Sequence, residues 1–201
     1  MSSDFPVVQE VAAHLEGLSD LAARVAREMA GQIAEVAELV LQTLTSGRKL
    51  LFCGNGGSAA DAQHLATEYV VRFRRNRAPL PAIALTTDTS LLTAASNDFG
   101  FDRVFAVQVQ ALGMPGDVLF LHSTSGESPN LLEAAKAARA AGVKTVALLA
   151  RGGGRLKELV DIPLVLPTDN GANAQELHLA IGHAICEIVE SRIAGSAGPG
   201  Y

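Results

Sequence analysis

Apolar residues recur every three or four positions over residues 18–47, which predicts a long amphipathic helix. The stripe comprises Leu21, Val25, Met29, Ile33, Val36, Val40 and Leu44. Further apolar residues widen it, namely Val11, Leu15, Leu39 and Leu41. A helix this apolar needs more than one partner, and Gly47 ends the pattern. We therefore expect a long N-terminal helix, within an extension over about residues 1–47, that serves oligomerisation.

After residue 47 the pattern changes to five short apolar runs separated by helix-like segments. The runs are Lys49–Cys53, Pro81–Leu85, Asp117–Leu121, Lys144–Leu149 and Ile162–Leu166. The helix-like segments are residues 57–73, 90–96, 101–112, 128–141, 154–159 and 173–193. Strands that alternate with helices indicate a parallel sheet with helices on both faces. We predict an α/β fold with a five-stranded parallel sheet in the flavodoxin-like order 2-1-3-4-5.

The composition and charge narrow the class of protein. The length of 201 residues fits a single domain, which we place at residues 1–193, with a flexible tail of small residues at 194–201. The chain has 48% hydrophobic and only 18% charged residues, which favours an oligomer. Its net charge of −5 argues against binding to nucleic-acid phosphates. No apolar run approaches the roughly 18 residues of a transmembrane helix, so no membrane association is expected.

The N-terminus and the cysteines bear on the compartment. The first ten residues lack a basic start followed by an apolar stretch, so we expect no secretory signal. Cys53 and Cys186 lie far apart in apolar surroundings and do not have metal-binding spacing. We expect both to be buried, reduced thiols. These features together predict a cytoplasmic protein.

Two loops rich in glycine and hydroxyl side chains follow the first and third predicted strands. They are Gly54–Ser58 and His122–Pro129. In the predicted strand order the winding reverses between these strands, and ligands bind there beyond the carboxyl ends. Glycines let backbone N–H groups approach an anion, and the helices that begin near Gly57 and Ser128 add positive dipole ends. The alternative is that the serines and threonines only cap helices.

The loop sequences exclude a P-loop for nucleoside triphosphates but leave a dinucleotide site open. No GxxxxGK[ST] sequence is present, which excludes a P-loop for nucleoside triphosphates. Without a lysine in the loops, a small phosphate monoester held by neutral donors is favoured. The spacing Gly54-x-Gly56-x-x-Ala59 also fits a dinucleotide fingerprint. That fingerprint requires an acidic residue at the end of the second strand, and Asp88 comes three positions too late, so a nicotinamide or flavin enzyme is the weaker alternative.

Candidate acid–base and metal-binding residues lie on two predicted helices. His64 and Glu68 are four positions apart and share a helix face, and Gln175 and His183 lie on the last helix. Two imidazoles with carboxylate and amide oxygens could bind a metal, although glutamine is not among the usual ligands of zinc. Glu68 and His183 could equally move a proton between the two carbons of an aldose–ketose pair. A solvated His–Glu pair is the third reading, and spacing alone leaves all three open.

Several motifs in combination resemble those of the phosphoheptose isomerases, which are sugar-isomerase (SIS) domain proteins. These are residues 51–64 (LFCGNGGSAADAQH), Glu68, residues 95–101 (ASNDFGF), residues 123–128 (STSGES), residues 175–178 (QELH) and His183. The resemblance spans about residues 30–193. It implies an aldose–ketose isomerase that converts sedoheptulose 7-phosphate to D-glycero-D-manno-heptose 7-phosphate through an enediol. This is the first step of nucleotide-activated heptose biosynthesis, which supplies a surface glycan such as lipopolysaccharide.

The resemblance also implies a homotetramer with a central helical bundle and active sites shared between subunits. The implied substrate contacts are Asn55, Gly56, Gly57, Ser58, Glu68, Asn97, Asp98, Ser123, Thr124, Ser125, Ser128 and Gln175, of which Ser123, Thr124, Ser125 and Ser128 hold the phosphate. The implied zinc ligands are His64, Glu68, Gln175 and His183. Glu68 and His183 are the implied catalytic residues. Because a carboxylate bound to zinc is a poor base, Glu68 would then leave the metal or take another role.

The sequence departs from the family at residues 168–174 (TDNGANA), where many members have an Asp-Thr pair and then a basic residue or isoleucine. We expect this stretch to influence which sugar phosphate is accepted, and an isomerase of another sugar phosphate stays an alternative. A second alternative is a non-catalytic SIS-domain protein of the replication-initiator-associating type. Such members, however, lack the equivalents of Glu68 and His183. His122 is expected only to be a strand-end histidine that faces solvent or core.

A basic cluster also invites a nucleic-acid interpretation. It comprises Arg72, Arg74, Arg75 and Arg77. No set of stacking aromatics accompanies it, since Phe73 is alone, so we expect a solvated face near a helix end. Arg72 comes one turn after Glu68 and could reach the site.

Overall fold

A five-stranded parallel sheet forms the centre of the computed structural model, which describes residues 6–196. Its strands are β1 (Leu50–Gly54), β2 (Ala82–Ala84), β3 (Val118–Ser123), β4 (Lys144–Leu149) and β5 (Ile162–Val165). They are ordered β2-β1-β3-β4-β5, which confirms the predicted fold class. Each strand overlaps its predicted apolar run, because a parallel sheet covered on both faces requires continuous apolar strands.

Helices cover both faces of this sheet. They are α1 (Pro6–Glu28), α2 (Ala30–Thr45), α3 (Gly57–Val70), α4 (Thr89–Phe99), α5 (Ala106–Leu112), α6 (Pro129–Ala140) and α7 (Gly171–Ser196). Alternate strand residues point to opposite faces and divide the core in two. Phe52, Phe120 and Leu148 pack against α1, α2, α3 and α7. Leu51 and Leu119 pack on the other side, against α4, α5 and α6.

The N-terminal extension consists of two helices rather than the one helix predicted over residues 18–47. The first begins at Pro6, and the break falls at Met29, with φ −121° and ψ −1°. Gly31 follows closely, and glycine weakens a helix, which favours a break here. Both helices nevertheless pack on α7 through the predicted apolar stripe, for example with Val25 and Ile33.

Further boundaries differ from the prediction, since α3 ends at Val70 rather than at residue 73 and α4 continues to Phe99 rather than ending at residue 96. Residues 101–112 form a 3-10 turn at Phe101–Arg103 followed by α5. Residues 151–158 form two 3-10 turns instead of one short helix, since the glycines at 152–154 have positive φ values that an α-helix does not accept. The last helix continues to Ser196, so residues 194–196 of the predicted tail are helical, and residues 197–201 lie outside the described part of the chain.

Strands β1 and β3 end level with each other, which aligns the two predicted ligand loops. Gly54 pairs with His122 across the sheet. The turn from β1 into α3 is so tight that a Cβ on Gly54 would lie 2.5 Å from the carbonyl oxygen of Ser58. Helices α3 and α6 therefore both begin beyond the carboxyl ends of neighbouring strands, where open α/β sheets bind ligands.

Both cysteines are buried free thiols, as predicted. Burial raises the pKa of Cys186 to about 12, so this thiol stays protonated at neutral pH. Among the helices described, none has the length and apolar character to cross a membrane.

Candidate active site

His64 and Glu68 on α3 meet His183 on α7, and we call these three residues the His–Glu–His cluster. The Nε2 atoms of His64 and His183 are 2.8 Å apart, and His64 Nε2 lies 3.3 Å from Glu68 Oε1. One donor atom from each residue lies within 4.8 Å of the other two. The His64 side chain is 46% exposed, so solvent reaches the cluster. Helical i,i+4 spacing places His64 beside Glu68, whereas only the packing of α3 on α7 brings in His183.

The surroundings of His183 keep its imidazole neutral at pH 7. Burial lowers the pKa of His183, and the neighbouring His64 and Arg74 lower it further, while the Glu68 carboxylate acts in the opposite direction. The ring is also enclosed by two others. His64 approaches it edge-on, with ring centroids 5.0 Å apart, and Phe73 stacks on it at 5.1 Å. A neutral, oriented imidazole can accept a proton or bind a metal.

Gln175 lies along the same helix pair but contacts a residue that the sequence did not single out. Its Nε2 donates to Oδ1 of Asp61 at 3.3 Å, and its amide covers Gly57, where an added Cβ would lie 2.5 Å from Nε2. Asp61 is buried, its Oδ2 has no hydrogen-bond partner among residues 6–196, and burial raises its pKa against the opposing effects of Gln175 and His64. Its position three residues before His64, on the same helix face, is the signal that could have revealed it.

The turn between β3 and α6 keeps donors available for an anion. Oγ of Ser123 accepts the N–H of Gly126 at 3.0 Å, and Oγ of Ser125 accepts the N–H of Glu127 at 3.3 Å, so each hydroxyl retains its own proton for donation. The Ser128 residue that precedes α6 makes no side-chain capping bond, and α3 is likewise uncapped by a side chain. The first N–H groups of both helices are therefore not satisfied by a side-chain cap.

The same turn is fixed by the 3-10 turns that follow β4. A Cβ on Gly126 would lie 1.9 Å from the carbonyl oxygen of Gly153, so only glycine allows this approach. The Glu127 carboxylate accepts the backbone N–H of Arg155 at 2.8 Å and its Nε at 2.6 Å. These contacts hold the loop that contains Thr124 against the 3-10 turns.

Asn55, a predicted substrate contact, joins the two ligand loops. Its Nδ2 donates to Oδ1 of Asn130 at 2.9 Å, and Nδ2 of Asn130 donates back to Asn55 at 2.8 Å. Asn130 is 2% exposed and was not a candidate, because nothing in its local sequence distinguishes it from an ordinary helix residue. The reciprocal pair fixes the first loop relative to the second.

Asn97 and Asp98 lie away from these contacts within one chain. The Asn97 amide donates to Oδ1 of Asp98 at 2.8 Å, near the end of α4. Asp98 borders a groove between α4 and α5 that is lined by Phe99 and Leu112. Within residues 6–196, no hydrogen bond or ion pair links either residue to the His–Glu–His cluster. Their role as substrate contacts stays a prediction.

His122 faces the core and contacts a second buried histidine. His122 and His178 have ring centroids 6.4 Å apart and exposures of 1% and 0%. Burial, aided by His178, lowers the pKa of His122 to about 3. Burial lowers the pKa of His178 to about 4, although a contact with the Leu149 carbonyl oxygen opposes this. Both imidazoles are therefore neutral parts of the core.

Two alternative interpretations lose support. Asp88 caps α4 by accepting the N–H of Leu91 at 2.9 Å, so it is not the ribose-binding acid of a dinucleotide site. The arginine cluster is not simply a solvated face. The Arg77 side chain is 1% exposed and ion-paired with Glu190, and Arg72 donates to Asn76 rather than to the His–Glu–His cluster.

Comparisons with known proteins identify the family. A family model described as SIS domain matches residues 13–150. A curated phosphoheptose isomerase of Akkermansia muciniphila is 52% identical over 167 residues, which cover 83% of this chain and 88% of the relative. The chain belongs to the phosphoheptose isomerase family of SIS-domain proteins.

Solved structures of the phosphoheptose isomerase family have the same fold. The structure from Neisseria gonorrhoeae has a TM-score of 0.87 at 43% identity, and the alignment covers 92% of this chain and 99% of that one. The structure from Francisella tularensis has a TM-score of 0.89 at 37% identity, with 93% and 100% covered. The family resemblance stated from the motifs is thus confirmed over nearly the whole chain.

The His–Glu–His cluster fits a zinc ion. Its two imidazole nitrogens and one carboxylate oxygen are ligands that zinc accepts, and they lie close enough to surround one ion. The two Nε2 atoms already face each other, so neither ring needs to turn away from a different partner. The Gln175 amide contacts Asp61, which comes three residues before His64 on α3.

Proposed function

We propose that this protein is an aldose–ketose isomerase that converts sedoheptulose 7-phosphate to D-glycero-D-manno-heptose 7-phosphate through an enediol. The observation that carries the proposal is the meeting of Glu68 and His183 in one cluster, 3.3 Å or less from a shared His64 nitrogen, in a chain of the phosphoheptose isomerase family. The reaction requires groups that remove a proton from C1 of the ketose and deliver one to C2. A carboxylate next to a neutral imidazole can accept the proton from one carbon and deliver a proton to the other.

Residues of the chain also account for binding of the sugar phosphate. The hydroxyls of Ser123, Thr124, Ser125 and Ser128, with the start of α6, form the phosphate site. Asn55, Gly56, Gly57 and Ser58 lie across from it on the first loop and contact the sugar. Asn97 and Asp98 complete the site from a neighbouring subunit if active sites are shared. The donors are neutral, which suits a dianionic monoester at the positive end of a helix dipole.

His64, Glu68, Gln175 and His183 are the residues that would hold zinc. When bound, zinc would polarise the substrate carbonyl and stabilise negative charge on the enediol oxygen. A carboxylate or imidazole bound to the ion would be a poor base, so Glu68 and His183 would each move a proton only when not bound to zinc. Asp61 accepts a hydrogen bond from Nε2 of Gln175 and so orients the amide. Outer hydrogen bonds of this kind commonly orient metal ligands.

The same family membership supports two further proposals, on assembly and on location. We propose a homotetramer in which α1 and α2 form a central bundle, because small apolar residues such as Ala26 and Ala34 line an open groove between these helices and α7. We also propose a single SIS domain over residues 1–193 and a cytoplasmic location. Light scattering of the purified protein tests the assembly directly.

The decisive experiment is an NMR assay of purified protein with sedoheptulose 7-phosphate, with added zinc and with chelator. A new aldose 7-phosphate signal, lost on chelation and restored by zinc, is the expected result. Turnover that survives exhaustive chelation would remove zinc from the proposal. No turnover with this substrate, but turnover of another sugar phosphate, would transfer the proposal to that sugar. No turnover with any, together with a stoichiometric protein partner, would favour a non-catalytic binding protein.

A further inference from the structure

The loop after α3 is anchored by a buried ion pair next to the cluster. The side chains of Arg77 and Glu190 are each 1% exposed, and Arg77 Nε lies 3.2 Å from Glu190 Oε1. The Arg77 guanidinium also donates to the carbonyl oxygen of Glu68 at 2.7 Å and to that of Tyr69 at 2.8 Å. It thereby satisfies carbonyl groups that the end of α3 would leave unpaired.

Glu190 holds the backbone of this loop as well. Its carboxylate accepts three successive N–H groups, those of Phe73 at 3.0 Å, Arg74 at 2.7 Å and Arg75 at 2.9 Å. A buried carboxylate that accepts three backbone N–H groups and is ion-paired with a guanidinium is a rigid attachment point. Burial opposes the charge, yet these donors and Arg77 still lower the pKa of Glu190, so it is ionised at pH 7.

The anchored loop places the Phe73 ring flat against His183. The ring centroids are 5.1 Å apart and the planes differ by 19°, while His64 meets the edge of the same imidazole at 69°. Glu190 lies seven residues after His183, so both project from the same face of α7. One face of α7 therefore carries both the His183 imidazole and the Glu190 carboxylate. The carboxylate holds the loop that packs the Phe73 ring on that imidazole.

We propose that Phe73 is a positioning residue for His183: it sets the plane of the imidazole so that Nε2 points at His64 and Glu68, and Glu190 with Arg77 holds Phe73 in place. The inference rests on the proposed function. The terminal torsion of histidine has only broad intrinsic minima, so contacts must decide the ring orientation. His64 touches one edge of the imidazole, and the Phe73 ring against its face opposes rotation about that torsion.

The test compares Phe73→Leu, Phe73→Tyr and Phe105→Leu. Leucine at 73 keeps apolar bulk but removes the flat ring, whereas tyrosine retains it. Phe105 is 3% exposed and packs in the other half of the core, so its substitution controls for a general loss of packing. For Phe73→Leu we expect kcat to fall by about 10- to 100-fold, the scale of a small misplacement of a reacting group, with KM changed less than twofold. Phe73→Tyr should stay within about threefold of the unsubstituted protein.

Zinc affinity, measured by competition with a chromophoric chelator, provides the second readout. We expect it to weaken about tenfold in Phe73→Leu only, at the lower end of effects seen when support for a ligand is removed. Unchanged kcat and zinc affinity in Phe73→Leu would overturn the inference. So would an equal loss in Phe105→Leu, since that would indicate packing alone. If the unsubstituted protein turns over no sugar phosphate, the proposed function fails, and the zinc affinities of the three variants still decide the role of Phe73.

Discussion

The Nε2 atoms of His64 and His183 lie 2.8 Å apart, although 119 positions separate the two residues in the chain. A hydrogen bond between two neutral imidazoles requires opposite tautomers, one as donor and one as acceptor. Metal binding requires a lone pair from both. The same atoms can therefore serve as a proton path or as a metal site, and Glu68 lies within reach of either arrangement.

Substitution of the proton-transfer pair should abolish most turnover. We expect Glu68→Gln or His183→Ala to lower kcat by at least about 100-fold, because each removes a group that donates or accepts a proton. Assays with sedoheptulose 7-phosphate under saturating zinc measure this. Glu158→Gln, which changes an exposed glutamate of a 3-10 turn, is the matched control and should retain normal rates. Near-normal turnover in either cluster variant would contradict the assignment.

A methyl group at Gly57 should displace Gln175. The added Cβ would lie 2.5 Å from both the Nε2 and the Oε1 atom of Gln175, and this flexible side chain is the group that must move. We expect Gly57→Ala to lower zinc affinity and raise KM by about tenfold or more, with a small change in melting temperature. Gly31→Ala is the control, since its Cβ meets nothing within 4 Å. If Gly57→Ala leaves both zinc affinity and KM unchanged, Gln175 is neither a ligand nor a substrate contact.

Substitution of Glu190 should lower the free energy of unfolding far more than substitution of Glu187, which lies one turn earlier on α7. Glu190→Ala leaves the Arg77 guanidinium buried without its partner, and loss of one member of a buried ion pair lowers the free energy of unfolding by about 3–5 kcal/mol. Glu187 pairs with Arg74 at the surface, where such pairs contribute about 0–1 kcal/mol. Urea unfolding of Glu190→Ala and Glu187→Ala measures the difference. Equal values would show that the buried pair does not anchor the loop.

Acid should destabilise the fold through His122 and His178. Their folded-state pKa values, about 3 and about 4, lie below the usual 6.5, so the unfolded chain binds protons first as the pH falls. Stability is therefore full above about pH 6.5 and declines below it, by about 2 kcal/mol for each histidine at pH 5.

The variant His122→Phe isolates one of these contributions. It keeps a flat ring next to Phe52 and has no group to protonate. Urea unfolding at pH 7.5 and pH 5 should show a smaller decline in stability for this variant than for the unsubstituted chain. A decline of the same size would mean that His122 binds its proton in the folded state as readily as in the unfolded one.

Local patterns predicted the sheet order and the position of both ligand loops. The central strands β1 and β3 are buried on both faces and so appear as continuous apolar runs. Gly54 ends the first of these runs, and Ser128 directly precedes α6. The i,i+4 spacing of His64 and Glu68 is likewise a local property. Periodicity did not predict the break at Met29, because the apolar stripe continues through it from Val25 to Ile33.

The sequence by itself therefore determined the fold class, the position of the two loops and the candidates His64, Glu68 and His183, but it did not reveal Asp61 or Asn130. Only the tertiary structure decided which groups meet. His183 contacts His64, and Gln175 contacts Asp61. Phe73 stacks on His183, and Glu190 binds the backbone of Phe73. The physical reason is the separation along the chain over which each kind of signal acts. Periodicity along a chain reflects which side of an element is buried, whereas contacts between distant elements depend on the register and packing of whole helices, which no short stretch of sequence encodes.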